Sequence, residues 1–172
     1  RQDKQAAARF PEDAQRGAAL FVGRGKCSFC HTGPLFSNGE FANAGVRYFT
    51  GPGRVDPGRH GGIKKLKASR FNLLGAFNDA PDKTNAWATR QLAKQHKTFG
   101  EFKVPSLRNL TRTAPYMHNG ALATLEDVVQ HYSTIDLERL HSDGERILEP
   151  LRLNRQESAD LVAFLKTLST AP

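Results

Sequence analysis

Residues 25–36, GKCSFCHTGPLF, place two thiols and an imidazole within five positions; the 172-residue chain has no other cysteine and a single methionine. Four chemistries use such a set. A structural disulfide between Cys27 and Cys30 would close a loop too small to constrain much of the unfolded chain. A dithiol redox pair of the thioredoxin kind sits between a strand and a helix, whereas here a helix-like segment precedes the pair and a Gly/Pro-rich loop follows. A zinc site needs four ligands, usually from a second Cys or His pair at matching spacing, and none follows. Covalent haem c requires the tight spacing. Two thiols add across the two vinyl groups, and the next residue gives its imidazole to iron. The motif therefore points to one haem c, attached through Cys27 and Cys30 and ligated by His31.

These residues need elements to hold them. In FPEDAQRGAALF, Pro11 suits a first helical turn, and Glu12 and Asp13 favour a helix N-terminus. Ala14, Gly17, Ala18 and Phe21 recur at helical spacing. Glycine inside a helix costs about 1 kcal/mol against alanine, so Gly17 marks a close helix contact. At the other end, NRQESADLVAFLKTL is the strongest helix in the chain. Asn154 caps it with Glu157 three residues on, and Leu161, Phe164, Leu165 and Leu168 form one apolar stripe. Thr124 and Asp127 predict a third capped helix, on which Leu125, Val128, Val129 and Tyr132 share a face. The segments around residues 33–62 and RVDPGRHGGIKKLKASR read as loops, the latter a basic surface suited to an acidic partner. A short helix is expected over residues 84–97 with Trp87 in the core. His60, His96 and His141 are read as surface residues.

Length and composition bound the rest. A chain of 172 residues is most simply one domain, and 38% hydrophobic with 24% charged residues suits a globular protein. No apolar stretch approaches bilayer-spanning length. The net charge of +8 favours an acidic partner; charge alone would admit nucleic acid, but nothing else in the sequence assigns it.

CHTGPLFSNGEFANAGV, DPGR and FKVPSLRNLTRTAPYMHNGALATLEDVVQHY, followed by the closing helix, resemble the C-terminal haem domain of bacterial dihaem cytochrome c peroxidases and their MauG-like relatives. The resemblance runs from Phe10 onward, apart from a variable stretch around residues 60–98. Such proteins carry two haem-binding halves, and this sequence has one C-x-x-C-H.

The resemblance implies an all-α cytochrome c fold with long haem-wrapping loops over residues 10–172, preceded by an extension at residues 1–9, in which the two terminal helices cross at the glycine notch. It implies an oxidoreductase unit that passes electrons or stores oxidising equivalents for peroxide-linked oxidation. Its partners would be a second haem domain or subunit and an acidic redox protein. Covalent haem attachment requires export, so the expected compartment is the periplasm, with a signal peptide already removed. A stand-alone monohaem carrier and a haem-based sensor are the alternatives. For the sixth iron position the family pattern points to Tyr132, fourteen residues after His118. Met117, in PYMHNG, is the alternative, with His118 or an open site behind it. Arg108 is assigned to a haem propionate, and the Pro34 carbonyl to the second nitrogen of His31. Thr113 and Pro115 match residues whose carbonyls hold a calcium ion between the two haem domains.

Overall fold

The computed structural model describes residues 10–47, 49–140 and 147–170; the expected extension at residues 1–9 and His141 lie outside them. The helices among the described residues are α1 (Glu12–Val22), α2 (Arg59–Ala68), α3 (Trp87–Gln91), α4 (Leu125–Ser133) and α5 (Arg155–Thr167). The strands are two or three residues long: β1 (Phe41–Ala42), β2 (Phe49–Gly51), β3 (Arg54–Val55) and β4 (Phe102–Lys103). The protein is therefore mostly α with a few strand pieces, where the sequence suggested helices and loops alone.

The chain divides into two compact units. One holds the described parts of Arg1–Glu40, Lys103–Leu137 and Ile147–Pro172; the other holds those of Phe41–Phe102 and Glu138–Arg146. The first is organised by α1, α4 and α5. Helix α1 starts after Pro11, with Glu12 and Asp13 in its first turn, and buries Ala14, Gly17 and Phe21. Helix α5 opens on a capping box between Asn154 and Glu157 and buries Asp160, Leu161, Val162, Phe164 and Leu165. A Cβ placed on Gly17 would stand 2.0 Å from the Asp160 carbonyl oxygen and 2.8 Å from Phe164 Cβ. The two helices meet backbone to backbone there, which only glycine permits. Beside this contact, Arg16 donates Nε and Nη2 to the two carboxylate oxygens of Asp160 at 2.8 and 2.9 Å.

Phe21, Leu125, Val129, Leu161, Val162, Phe164, Leu165 and Leu168 form the core of this unit. Phe21 and Phe164 pack with ring centroids 5.1 Å apart, and Phe36 presents an edge to both. Burying a side chain of this size contributes about 1.5–3 kcal/mol. Helix α4 carries the expected capping box between Thr124 and Asp127. Its inward face is turned slightly from the expected one: Leu125, Val129 and Ser133 are buried, while Val128 and Tyr132 are half-buried.

In the second unit, β2 and β3 pair antiparallel, Phe49 opposite Val55 and Gly51 opposite Arg54. Two sequence expectations fail here and a third holds only in part. The basic stretch read as a loop forms α2. Its first residue is fastened at both ends, Arg59 N to the Glu101 carbonyl at 2.8 Å and Arg59 Nη1 to Glu101 Oε2 at 3.0 Å, and Ile63 is buried on its inner side. Gly58, at φ 58°, allows the Glu101 backbone to approach. Trp87 lies on a short helix as expected but is 66% exposed. Helix α3 is only five residues long, and the buried positions around it go to Ala86 and Thr89. His60 is also no free surface residue: its ring contacts the Gln95 carbonyl and Thr98 Oγ1 through Nδ1 and sets an edge against Phe99.

Candidate haem site

The C-x-x-C-H segment follows α1 through a turn that requires glycine. Gly25 N donates to the Leu20 carbonyl at 2.8 Å, and a Cβ there would lie 2.6 Å from that oxygen and 3.3 Å from Cys27 Sγ. Residues Cys27–Phe29 then form a 3₁₀ turn, with the Cys30 and His31 amides both donating to the Cys27 carbonyl. The two thiols and the imidazole are thus hung from one tight turn at the end of a core helix.

Neither cysteine is in a disulfide, and both are half-buried. Burial pushes the Cys27 thiol up to about 11, so it is protonated at neutral pH, unlike the thiolate of a dithiol redox catalyst. Among the described residues, no three His, Cys, Asp or Glu side chains converge to hold a metal ion. Burial lowers the pKa of His31 against the opposing pull of the Phe36 and Pro105 carbonyls. The ring is therefore neutral, the form that ligates a metal.

His31 Nδ1 lies 2.9 Å from the Phe36 carbonyl oxygen. The sequence had given this partner to Pro34, two residues earlier. The Pro34 carbonyl instead accepts from Arg108 Nε at 2.8 Å. The signal missed was conformational: Phe36 has φ 51°, a left-handed backbone that residue type does not announce and that re-aims its carbonyl. With Nδ1 donating to the Phe36 carbonyl, Nε2 is the nitrogen that would act as ligand, and the Pro105 carbonyl also draws on the ring.

Tyr132 sits near the C-terminal end of α4, where its carbonyl accepts from Leu151 N at 3.1 Å. Burial, and after it the neighbouring charges of Cys27 and Cys30, pushes its phenol up to about 12. Tyr132 thus lies within electrostatic reach of the two cysteines. Met117 is half-buried in the turn closed by the Tyr116–Leu122 bridge, at φ 68°. Thr113 and Pro115 are both exposed and lie beside the cis Ala114–Pro115 bond.

These residues fit haem c. Two part-buried thiols three apart sit beside a neutral imidazole oriented through Nδ1, and a tyrosine on a core helix lies within electrostatic reach of the thiols. No family model matches the chain. The chain is 38% identical over 162 residues to the cytochrome-c peroxidase IdrP1 of Denitromonas iodatirespirans, covering 91% of this chain and 40% of that protein. Over this length its relatives are members of the cytochrome c peroxidase/MauG family. It is 34% identical over 160 residues to the methylamine utilization protein MauG of Methylorubrum extorquens, covering 93% of this chain and 35% of that one. Among solved structures, a MauG-like protein associated with microbial copper homeostasis matches with a TM-score of 0.63 at 29% identity, over 96% of this chain and 46% of the other. The chain therefore spans well under half the length of the cytochrome c peroxidase and MauG relatives it matches. The likeness is compatible with a mostly-α, cytochrome c-like haem domain of that family and does not favour the stand-alone carrier or the sensor.

Proposed function

We propose that residues 10–172 act as one haem c-binding domain, with a cytochrome c fold, of an exported oxidoreductase of the cytochrome c peroxidase/MauG kind. It would work with a second haem domain and with an acidic redox protein, in the periplasm. The observation that carries this reading is the joint placement of Cys27, Cys30 and an Nδ1-fixed His31 on one turn, in a chain whose relatives are cytochrome c peroxidases and MauG proteins.

The bound haem would supply one-electron iron chemistry. Cys27 Sγ and Cys30 Sγ would form the two thioethers and fix the ring edge. His31 would hold iron through Nε2 while the Phe36 carbonyl keeps Nδ1 protonated and raises the basicity of the ring. Tyr132 is the proposed distal ligand, with Met117 as the alternative. Because burial raises the phenol so far, Tyr132 would have to give up its proton on ligation, and the resulting anion favours the oxidised state. Carbonyls of Thr113 and Pro115 would contribute to a calcium site completed by residues outside this chain. The net charge of +8 supports an acidic partner, and none of the described helices is long and apolar enough to cross a membrane.

The native assembly tests this reading through its mass, its haem count and its pyridine adduct. The expected result is denaturation-resistant haem with both vinyl groups saturated, in an assembly holding a second haem for each copy of this domain. Haem removed by acid-acetone would overturn it. So would a monohaem monomer that cycles reversibly and ignores peroxide.

A further inference from the structure

Three consecutive carbonyls follow the haem motif, and each is claimed by a different side chain. Pro34 O accepts from Arg108 Nε at 2.8 Å, Leu35 O from Ser106 Oγ at 2.7 Å, and Phe36 O from His31 Nδ1 at 2.9 Å. Two of the three donors come from one segment more than 70 positions away in sequence. The same segment is laced to the loop twice more: Ser37 Oγ donates to the Val104 carbonyl at 2.7 Å, and Val104 N donates to the Glu40 carbonyl at 2.8 Å. Arg108 also lays its guanidinium over the Phe36 ring, 4.9 Å from the centroid, while that ring packs edge-on against Phe21 and Phe164 of the core. Ser106 Oγ in turn accepts from Arg108 N at 3.1 Å, so the two donors hold each other.

We propose that residues 104–108 are a clasp whose work is to position the axial imidazole, with Arg108 and Ser106 as positioning residues acting through the Phe36 carbonyl. Phe36 adopts φ 51°, a left-handed conformation unfavourable for a non-glycine residue, so the carbonyl stays on His31 only while its neighbours hold it. Arg108 and Ser106 hold the two carbonyls before it, and the cation over the ring holds the side chain. This assignment rests on the haem c reading and replaces the propionate role as the main duty of Arg108.

The two roles predict opposite signs. Loosening the Nδ1 hydrogen bond makes His31 a weaker donor to iron, which raises the reduction potential. Deleting a cation that pairs with a haem carboxylate removes positive charge, which favours ferric iron and lowers the potential. Arg108→Lys keeps the charge but loses the planar stacking and the Nε donor; Ser106→Ala changes no charge at all. The experiment is done on the haem-loaded protein. It measures potential and, by NMR of the cyanide-bound ferric form, the exchange rate of the His31 Nδ1 proton. The expected result is a raised potential and about tenfold faster exchange in Arg108→Lys and Ser106→Ala, the equivalent of one lost hydrogen bond. Unchanged exchange in both variants, with a lowered potential in Arg108→Leu alone, overturns the clasp and leaves the haem reading standing. Absence of covalent haem in the parent protein overturns both.

Discussion

Arg16 and Asp160 meet through two parallel hydrogen bonds, Nε to Oδ2 and Nη2 to Oδ1, although 144 positions separate them. Gln156 Nε2 adds a third donor to Oδ1 at 2.9 Å. The carboxylate is buried, 3% exposed, and lies beside the Gly17 contact, so the ion pair and the glycine notch fix the same helix crossing.

The ion pair makes stability depend on acid. The Arg16 hydrogen bonds hold the Asp160 carboxyl below its ordinary value, against the opposing effect of burial. A depressed folded-state pKa adds stability above the unfolded value, near pH 4, and that stability is lost as pH falls through the folded pKa. Asp160→Asn is expected to destabilise the protein at pH 7 and to flatten the fall in denaturation midpoint below pH 4. An unchanged acid limb in urea titrations from pH 7 to pH 3 would refute this.

Gly17→Ala tests the notch. Alanine normally gains about 1 kcal/mol over glycine within a helix, but here the new methyl would meet the Asp160 carbonyl at 2.0 Å. Overpacking of this kind costs roughly 1–3 kcal/mol and more when backbone must move. The expected net is a loss of about 2 kcal/mol in chemical denaturation, with the α1–α5 core loosened.

Cys30→Ser should leave haem attached through Cys27 alone. The pyridine adduct then shifts toward that of a haem with one unsaturated vinyl group, and denaturing electrophoresis still shows a haem-bearing band. Changing both cysteines to serine should abolish that band. A band that survives in the double variant would remove covalent attachment from the account.

Tyr132→Phe and Met117→Leu separate the two candidate distal ligands. If Tyr132 binds iron, its loss opens the site, moves ferric iron toward high spin and raises the potential, since an anionic donor has gone. Met117→Leu then leaves the spectrum nearly unchanged. The opposite pattern would assign the site to Met117 and make the domain resemble an ordinary electron carrier.

The helices that hold the site were legible because their signals are local. Asn154 with Glu157 and Thr124 with Asp127 form the capping boxes that their spacing suggests, and Gly17 is the contact point that an unforced glycine in a helix implies. What escaped depends on partners far away in sequence. Helix α2 is fastened by Glu101, 42 residues beyond Arg59, and no pattern within RHGGIKKLKA reveals that anchor. The partner of His31 was misplaced by two residues because a left-handed Phe36 turns its carbonyl, and backbone sign is not written in residue type. Trp87 followed the general tendency of tryptophan to be buried, but a five-residue helix buries its smaller neighbours instead.

The crossing at Gly17 also sets an order of events during synthesis. Its counterparts, Asp160 and Phe164, are made more than 140 residues after it, so α1 has no seat until that later segment has been made. Contacts this distant in sequence are among the last to form, because a long loop must close first. Throughout that interval the segment bearing Cys27 and Cys30 hangs from an undocked helix. Under the haem c reading, attachment to the two thiols would then precede the closure of α5 over α1.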